Sequence, residues 1–260
     1  MAGPNRVRCA RRVEARWWLV SVPVRVVTLL VAFALVVVGA VYVVAHFIVA
    51  NPPTVDYTHA ASGGVVNVVL QEDPQNDSSS KPDWVTYYVM KPGANPFQQS
   101  SWVHTTLFSV PANTRVNMTI YGYDGCTPPR NNFFSQIQGT MGGVVSFRGF
   151  DNPGKPKGPT FVTSTIDGWR HCAVGHTFAI PSLHLFVPVS SPDASASLCG
   201  SSPCVSGPYS LEKFSFMTPP HSGEFRWQCF VPCGGGFEFG NGGPMQTIGY
   251  MMGQMNVVGS

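Results

Sequence analysis

Residues 26 to 45 read VVTLLVAFALVVVGAVYVVA, with no charged side chain among them. About twenty consecutive apolar residues are what a helix needs to cross the hydrocarbon core of a bilayer. This run therefore sets one helix apart from whatever else the chain folds into. A cleaved signal peptide is the competing reading; the run is longer than the roughly 7–15-residue apolar core of such peptides, and no clear small-x-small cleavage site follows it. Arg6, Arg8, Arg11, Arg12, Arg16 and Arg25 all precede the run, and Lys and Arg are sparse after it. By the positive-inside rule the N-terminal segment is cytoplasmic and everything after Asn51 lies outside. Trp17 and Trp18 suit the inner interface.

Composition agrees with one membrane segment and one ordinary domain: 260 residues, 44% hydrophobic, 11% charged. The net charge of +3 is concentrated before the apolar run, so it speaks to topology, and no nucleic-acid partner is expected. The expected layout is a cytoplasmic segment over 1–24, a transmembrane helix over 25–50, a membrane-proximal linker over 51–83 and an exported domain over 84–260. The expected location is the cell membrane, single-pass, with the C-terminal domain on the extracytoplasmic side.

The exported part shows no amphipathic helical stretch. Short apolar or alternating runs recur instead between Gly, Pro, Asn and Asp clusters, which predicts an all-β domain, a sandwich or barrel. Candidate strands are WVTYYVM, VHTTLFSV, RVNMTIYGY, GHTFAIP, HLFVPV, EKFSFMT, GEFRWQCF and GQMNVV, with GVVNVVLQ inside the linker. The exported cysteines are Cys126, Cys172, Cys199, Cys204, Cys229 and Cys233, and an oxidising compartment allows disulfides among them. Cys199 and Cys204 bracket a Ser/Gly/Pro-rich loop that a disulfide could close, Cys126 with Cys172 is a looser pairing, and spacing does not fix connectivity.

Enzyme signatures are missing. The chain has no G-x-S-x-G elbow, no H-E-x-x-H and no lysine after its glycines to make a phosphate loop. His171 and His176 have a spacing that suits no common helical metal pair, and Asp167, Glu212, Glu224 and Glu238 read as solvated loop charges. What remains is sulfur and imidazole: His176, then Cys229 and Cys233 four residues apart, then a methionine-rich stretch. Two thiolates at i and i+4 in a turn can converge on one site, and soft sulfur ligands with imidazole select copper.

The segments VPANTRVNMTIYGYDG, VGHTFAIPSLHLFVPV, GEFRWQCFVPCGGG and MMGQMNVV resemble the cupredoxin domain of cytochrome c oxidase subunit II. The resemblance covers roughly residues 103 to 258 and implies a cupredoxin-like Greek-key β-sandwich behind one N-terminal transmembrane helix, although the family usually has two such helices. It implies His176 as the upstream histidine ligand, Cys229 and Cys233 as the thiolates of a copper A centre, and Val231 as the donor of a backbone carbonyl. Met251 or Met252 would supply the thioether, with Met245 behind them. The chain departs from the family at Phe237, where a second histidine ligand would stand, and in the glycine-rich insertion that follows. One copper, two coppers, or a Cys229–Cys233 disulfide with no metal are the chemical alternatives, with His184 and His221 as remote substitutes for the missing imidazole.

Three functions follow. The first is an electron-transfer subunit that takes an electron from an external donor and passes it to a membrane oxidase catalytic subunit, with no catalysis of its own. The second is a copper-delivery module, and the third a copper-free structural accessory subunit. Trp227, Phe230 and Phe237 are candidates for an aromatic surface beside the cysteine loop, with a core role the simpler reading of Trp227.

Overall fold

The computed structural model describes residues 21–44, 52–74, 84–126, 131–166, 174–191, 199, 201–233 and 243–259. The chain divides into two units, Met1–Asn51 and Pro52–Ser260. The first holds helix α1, Val22–Val43, 22 residues long and apolar enough to cross a membrane, a criterion that a signal sequence also meets. It begins one turn before the uncharged run because Pro23, in the first turn, carries a preset helical φ where no intrahelical N–H is needed.

The second unit is a β-sandwich. Its strands are β1 (Thr54–Asp56), β2 (Val65–Asp73), β3 (Thr86–Met90), β4 (Trp102–Val103), β5 (Leu107–Pro111), β6 (Arg115–Gly122), β7 (Val145–Asn152), β8 (Lys155–Thr163), β9 (Val174–Ile180), β10 (Leu185–Ser190), β11 (Tyr209–Met217), β12 (Gly223–Gln228) and β13 (Met252–Val258). One sheet has the order β1-β5-β13-β12-β9-β10 and the other β4-β3-β2-β6-β11-β7-β8. Both are mixed: β1 and β13 run parallel to β5, and β2 runs parallel to β6. The all-β expectation describes this unit.

Alternation explains which side chains meet between the sheets. On β6, Val116, Met118 and Ile120 turn inward while Asn117, Thr119 and Tyr121 turn out. The inward set of β2 is Val66, Val68 and Leu70, and that of β9 is Val174, Phe178 and Ile180; all six are fully buried in one apolar cluster. Burial of side chains this size contributes on the order of 1.5–3 kcal/mol each. Trp227 of β12 fills the centre, edge-on to Tyr87 at 5.2 Å and 4.9 Å from Phe178. A Cβ at Gly253 would come within 2.6 Å of that indole and 2.0 Å of the Thr106 carbonyl, so only glycine lets β13 pass there.

Two expectations need correction. Residues 52–74 are part of the folded unit, not a linker: β1 pairs with β5, and β2 is an interior strand between β3 and β6. The expected strand GVVNVVLQ ends at Gln71, where QEDPQNDSSSKPD reads as linker, yet β2 continues through Asp73. The hairpin β7–β8 was not expected at all. Its outer strand, KPKGPTFVT, is exposed almost throughout and forms the edge of the seven-stranded sheet. An edge tolerates Pro156 and Pro159, whose missing N–H would break a central ladder.

Candidate metal centre

His176 occupies the inward register of β9, between Val174 and Phe178, and is only 3% exposed. Cys229 follows the last residue of β12 and is fixed there by a backbone hydrogen bond from its N–H to the Met251 carbonyl, 2.9 Å. Phe230 N–H donates to Thr177 Oγ1 at 2.7 Å, tying the start of the loop to β9. These bonds place Cys229 Sγ 3.8 Å from His176 Nδ1 and 3.2 Å from Cys233 Sγ, and both cysteines are buried free thiols. The imidazole nitrogen and the two sulfurs all lie within 4.8 Å of one another.

Backbone groups complete the surroundings of the sulfurs. The Thr177 N–H donates to Cys229 Sγ at 3.3 Å, and the Cys233 thiol donates to the Val231 carbonyl at 2.8 Å. That carbonyl lies 3.5 Å from Cys229 Sγ as well, so Val231 turns its oxygen toward both sulfurs. Met251 belongs to the apolar cluster that contains Cys229, Val231 and Cys233, with Met245 packed against it; Met252 is buried outside that cluster. Met251 is tied to the cysteine loop through its backbone carbonyl, which accepts the Cys229 N–H.

Behind His176 stand two carboxylates. His176 Nε2 lies 2.9 Å from Asp124 Oδ2 and 3.2 Å from Glu72 Oε1. Glu72 continues the inward alternation of β2 past Leu70 and is 1% exposed, so the sandwich sets a carboxyl opposite an imidazole across its interior. Its other oxygen accepts the N–H groups of Tyr123, at 3.2 Å, and Asp124, at 3.0 Å. Gly175 makes room for this turn: a Cβ there would sit 2.9 Å from the Gly125 carbonyl. Tyr87, directly across the ladder from Glu72, is fully buried, and among the described residues its hydroxyl has no hydrogen-bond partner.

Electrostatics follow from this packing. Burial opposes charging His176, but the Glu72 carboxylate and the Cys233 sulfur outweigh it and push the imidazole well above its usual value. Burial likewise opposes ionising Cys229, yet hydrogen bonds from Cys233 and His176 hold it well below the ordinary thiol value. Cys233 is pushed up, by its hydrogen bond to Cys229 first and burial second. Burial also raises Glu72, against the pull of the His176 cation, and raises the Tyr87 hydroxyl. These directions favour the thiolate, the ligating form of a cysteine, at Cys229 over Cys233.

The remaining sequence candidates lie elsewhere. His184 adopts a left-handed backbone at the end of a 3-10 turn and lines an apolar pocket with Phe133, Phe134, Phe186 and Phe230. His221 is exposed between β11 and β12. Trp227 is core rather than surface. Phe237, Glu238, His171, Asp167 and Cys172 fall outside the described residues. Glu212, expected in solvent, is instead inward on β11 and completely buried. Sequence reading does not single out Glu72, because a charge after LQ reads as the end of a strand; the available signal is an acid at the next inward position of VVNVVLQED.

No protein-family model and no curated protein matches the chain. Among solved structures it is similar to reduced rusticyanin, at 15% identity over 79% of this chain and 84% of that one, with a TM-score of 0.27. A second structure, of the copper protein rusticyanin, aligns at 16% identity over 79% and 82% with a TM-score of 0.26. Rusticyanin from Thiobacillus ferrooxidans aligns at 16% identity over 79% and 82% with a TM-score of 0.28. At these values the chemistry of the centre stands on its own side chains.

Proposed function

We propose that this chain is a membrane-anchored electron-transfer protein that binds copper through His176, Cys229 and Cys233, with Val231 and Met251 as weaker donors. One observation carries the reading: two unjoined thiols 3.2 Å apart, with an imidazole nitrogen 3.8 Å from one of them, in a buried pocket. Sulfur with imidazole is the donor set that selects copper. The residues fit the ion in charge as well as type, since thiolates neutralise a cation that burial would otherwise penalise. Copper held there would supply a centre that gains and loses one electron.

The protein's own residues shape that chemistry. Cys229 is already the better thiolate, and the Thr177 N–H bonded to its sulfur withdraws electron density from it. Burial of Cys229, Cys233 and His176 excludes water, so little solvent has to reorganise when the charge of the centre changes. Among the described residues no second imidazole joins the cluster, so we read the centre as mononuclear. Helix α1 supplies the anchor, and the arginine cluster before it favours an extracytoplasmic domain. The resemblance to oxidase subunit II supports an external donor and a membrane oxidase as the electron's source and destination.

The test is metal analysis of the full chain, purified in detergent, reduced and loaded with copper, beside its visible and paramagnetic resonance spectra. About one copper with an intense sulfur-to-copper band, lost in His176→Ala, is the expected result. No bound copper, with a Cys229–Cys233 disulfide found by mass spectrometry in the native protein, would overturn it.

A further inference from the structure

We propose that Asp124 and Glu72 are positioning residues that commit His176 to the metal through Nδ1, with Asp124 accepting the Nε2 proton and Glu72 aiming Asp124. This rests on the copper reading above. A neutral imidazole that gives its one N–H to a carboxylate must offer its lone pair from the other nitrogen. Here the nitrogen facing the carboxylates is Nε2, and the nitrogen facing Cys229 is Nδ1. The ring orientation, and the nitrogen left to an ion once the ring holds a single proton, are therefore set from behind the ring.

The turn that does this is built for it. Asp124 Oδ2 is 2.9 Å from Nε2, while its other oxygen accepts the Gly125 N–H at 2.6 Å. Its backbone N–H is held by Glu72 Oε2 and its carbonyl by the Ser191 hydroxyl, at 3.0 and 2.9 Å. Every polar atom of Asp124 is thereby directed. Glu72 has a second role: its Oε1 is buried and lies 3.2 Å from Nε2. A carboxyl in an inward position of a sandwich costs several kcal/mol unless something offsets it. The backbone amides offset one oxygen and the imidazole faces the other.

The consequence is greatest for a centre with a single imidazole. A carboxylate behind a ligating histidine raises its donor strength, and loss of such a partner typically weakens metal binding 10–100-fold. With no second histidine to share the ion among the described residues, the whole of that effect falls on His176. Asp124→Asn should therefore weaken copper binding about 10–100-fold and make the reduction potential more positive, because a poorer donor favours the cuprous state. Glu72→Gln should shift both in the same direction by less, and Asp124→Glu should recover part of the loss.

The experiment uses the full chain in detergent micelles. Copper affinity is measured by chelator competition, and the hydrogen bond at the non-coordinating imidazole nitrogen by electron spin-echo envelope modulation of the cupric protein. The 15N-histidine spectrum of the metal-free, reduced protein is recorded in parallel, with Glu212→Gln as a buried-acid control. The expected result is weakened affinity and altered remote-nitrogen modulation in Asp124→Asn, partial rescue in Asp124→Glu, and native behaviour in Glu212→Gln. A Glu72→Gln/Asp124→Asn double variant that melts like the native protein, binds copper as tightly and leaves the His176 nitrogen signals in place would overturn the proposal. If the native chain binds no copper, a metal-free spectrum with His176 Nε2–H hydrogen-bonded, and changed by Asp124→Asn, still upholds the positioning while the copper reading falls.

Discussion

Cys199 and Cys204 are joined as a disulfide, five residues apart with Cα atoms 5.5 Å from each other. Cys229 and Cys233, four residues apart, remain thiols with their sulfurs 3.2 Å from each other. Spacing alone would have treated the two pairs alike, and what separates them is their neighbours. The N–H of Cys204 donates to Gln71 Oε1 and Asp73 Oδ2, at 2.9 and 3.1 Å, so the surroundings of that pair are acceptors and an acid. An acid beside a sulfur disfavours the thiolate. The second pair has an imidazole, an amide N–H and a carbonyl turned toward it, which stabilise one thiolate and one thiol as distinct groups. What sets the second pair apart is the imidazole packed against it.

The largest effect that contrast predicts is at Cys229, whose sulfur is addressed by His176, Thr177 and Cys233 together. Cys229→Ser should remove bound copper and its charge-transfer band altogether, measured by metal analysis and absorption. Native copper content in that variant would mean that the pair is no more a ligand set than Cys199 and Cys204.

The same lesson divides the two inward glutamates, and the effect is next in size. Glu72 has His176 before it; among the described residues Glu212 accepts the Ser190 N–H, at 2.9 Å, and its second oxygen accepts no hydrogen bond. Burial therefore pushes Glu212 from an ordinary 4.5 up to about 8. The folded state keeps a proton that the unfolded state has released. The contribution of this group to stability is thus complete below about 4.5 and declines as pH rises through about 8. The slope in that window is at most about 1.4 kcal/mol per pH unit. Denaturant unfolding of native and Glu212→Gln protein from pH 4.5 to 8 should give a difference curve that moves in favour of the glutamine variant as pH rises. A flat difference would show that Glu212 is ionised in the fold.

Much of this was legible in the sequence. The apolar run and the eight strands after residue 84 that alternate or run apolar follow from local pattern, while the grouping of His176 with Cys229 and Cys233 comes from residue type and the family resemblance. The parts that were not legible depend on the partner across the sandwich. Glu72 looks like the end of a strand until His176 is seen opposite it, and Glu212 looks solvated until β10 is seen beside it. The edge strand β8 carries glycine and prolines because it needs no second neighbour, and local composition then hides it. Asp124 combines both difficulties, since its role depends on Glu72 as well as on His176.

The disulfide pair can be tested by its own removal. Cys199→Ser/Cys204→Ser should cost about 2 kcal/mol of stability, the loop-closure value for so short a loop, and leave copper content unchanged. Loss of copper in that variant would show that the two pairs depend on each other.

The smallest contrast lies between adjacent methionines at the entry to β13. Met251 packs in the cluster with Cys229, Val231 and Cys233, whereas Met252 is buried outside it. Leucine fills the same volume as methionine, so either substitution should cost less than about 1.5 kcal/mol of stability. The two should part in the reduction potential. If Met251 is the thioether donor, its loss takes away a weak, tuning ligand, so Met251→Leu should shift the potential measured by film voltammetry while copper stays bound, and Met252→Leu should leave it at the native value. Equal potentials in all three proteins would remove Met251 from the donor set and leave the two sulfurs, the imidazole and the Val231 carbonyl to hold the ion alone.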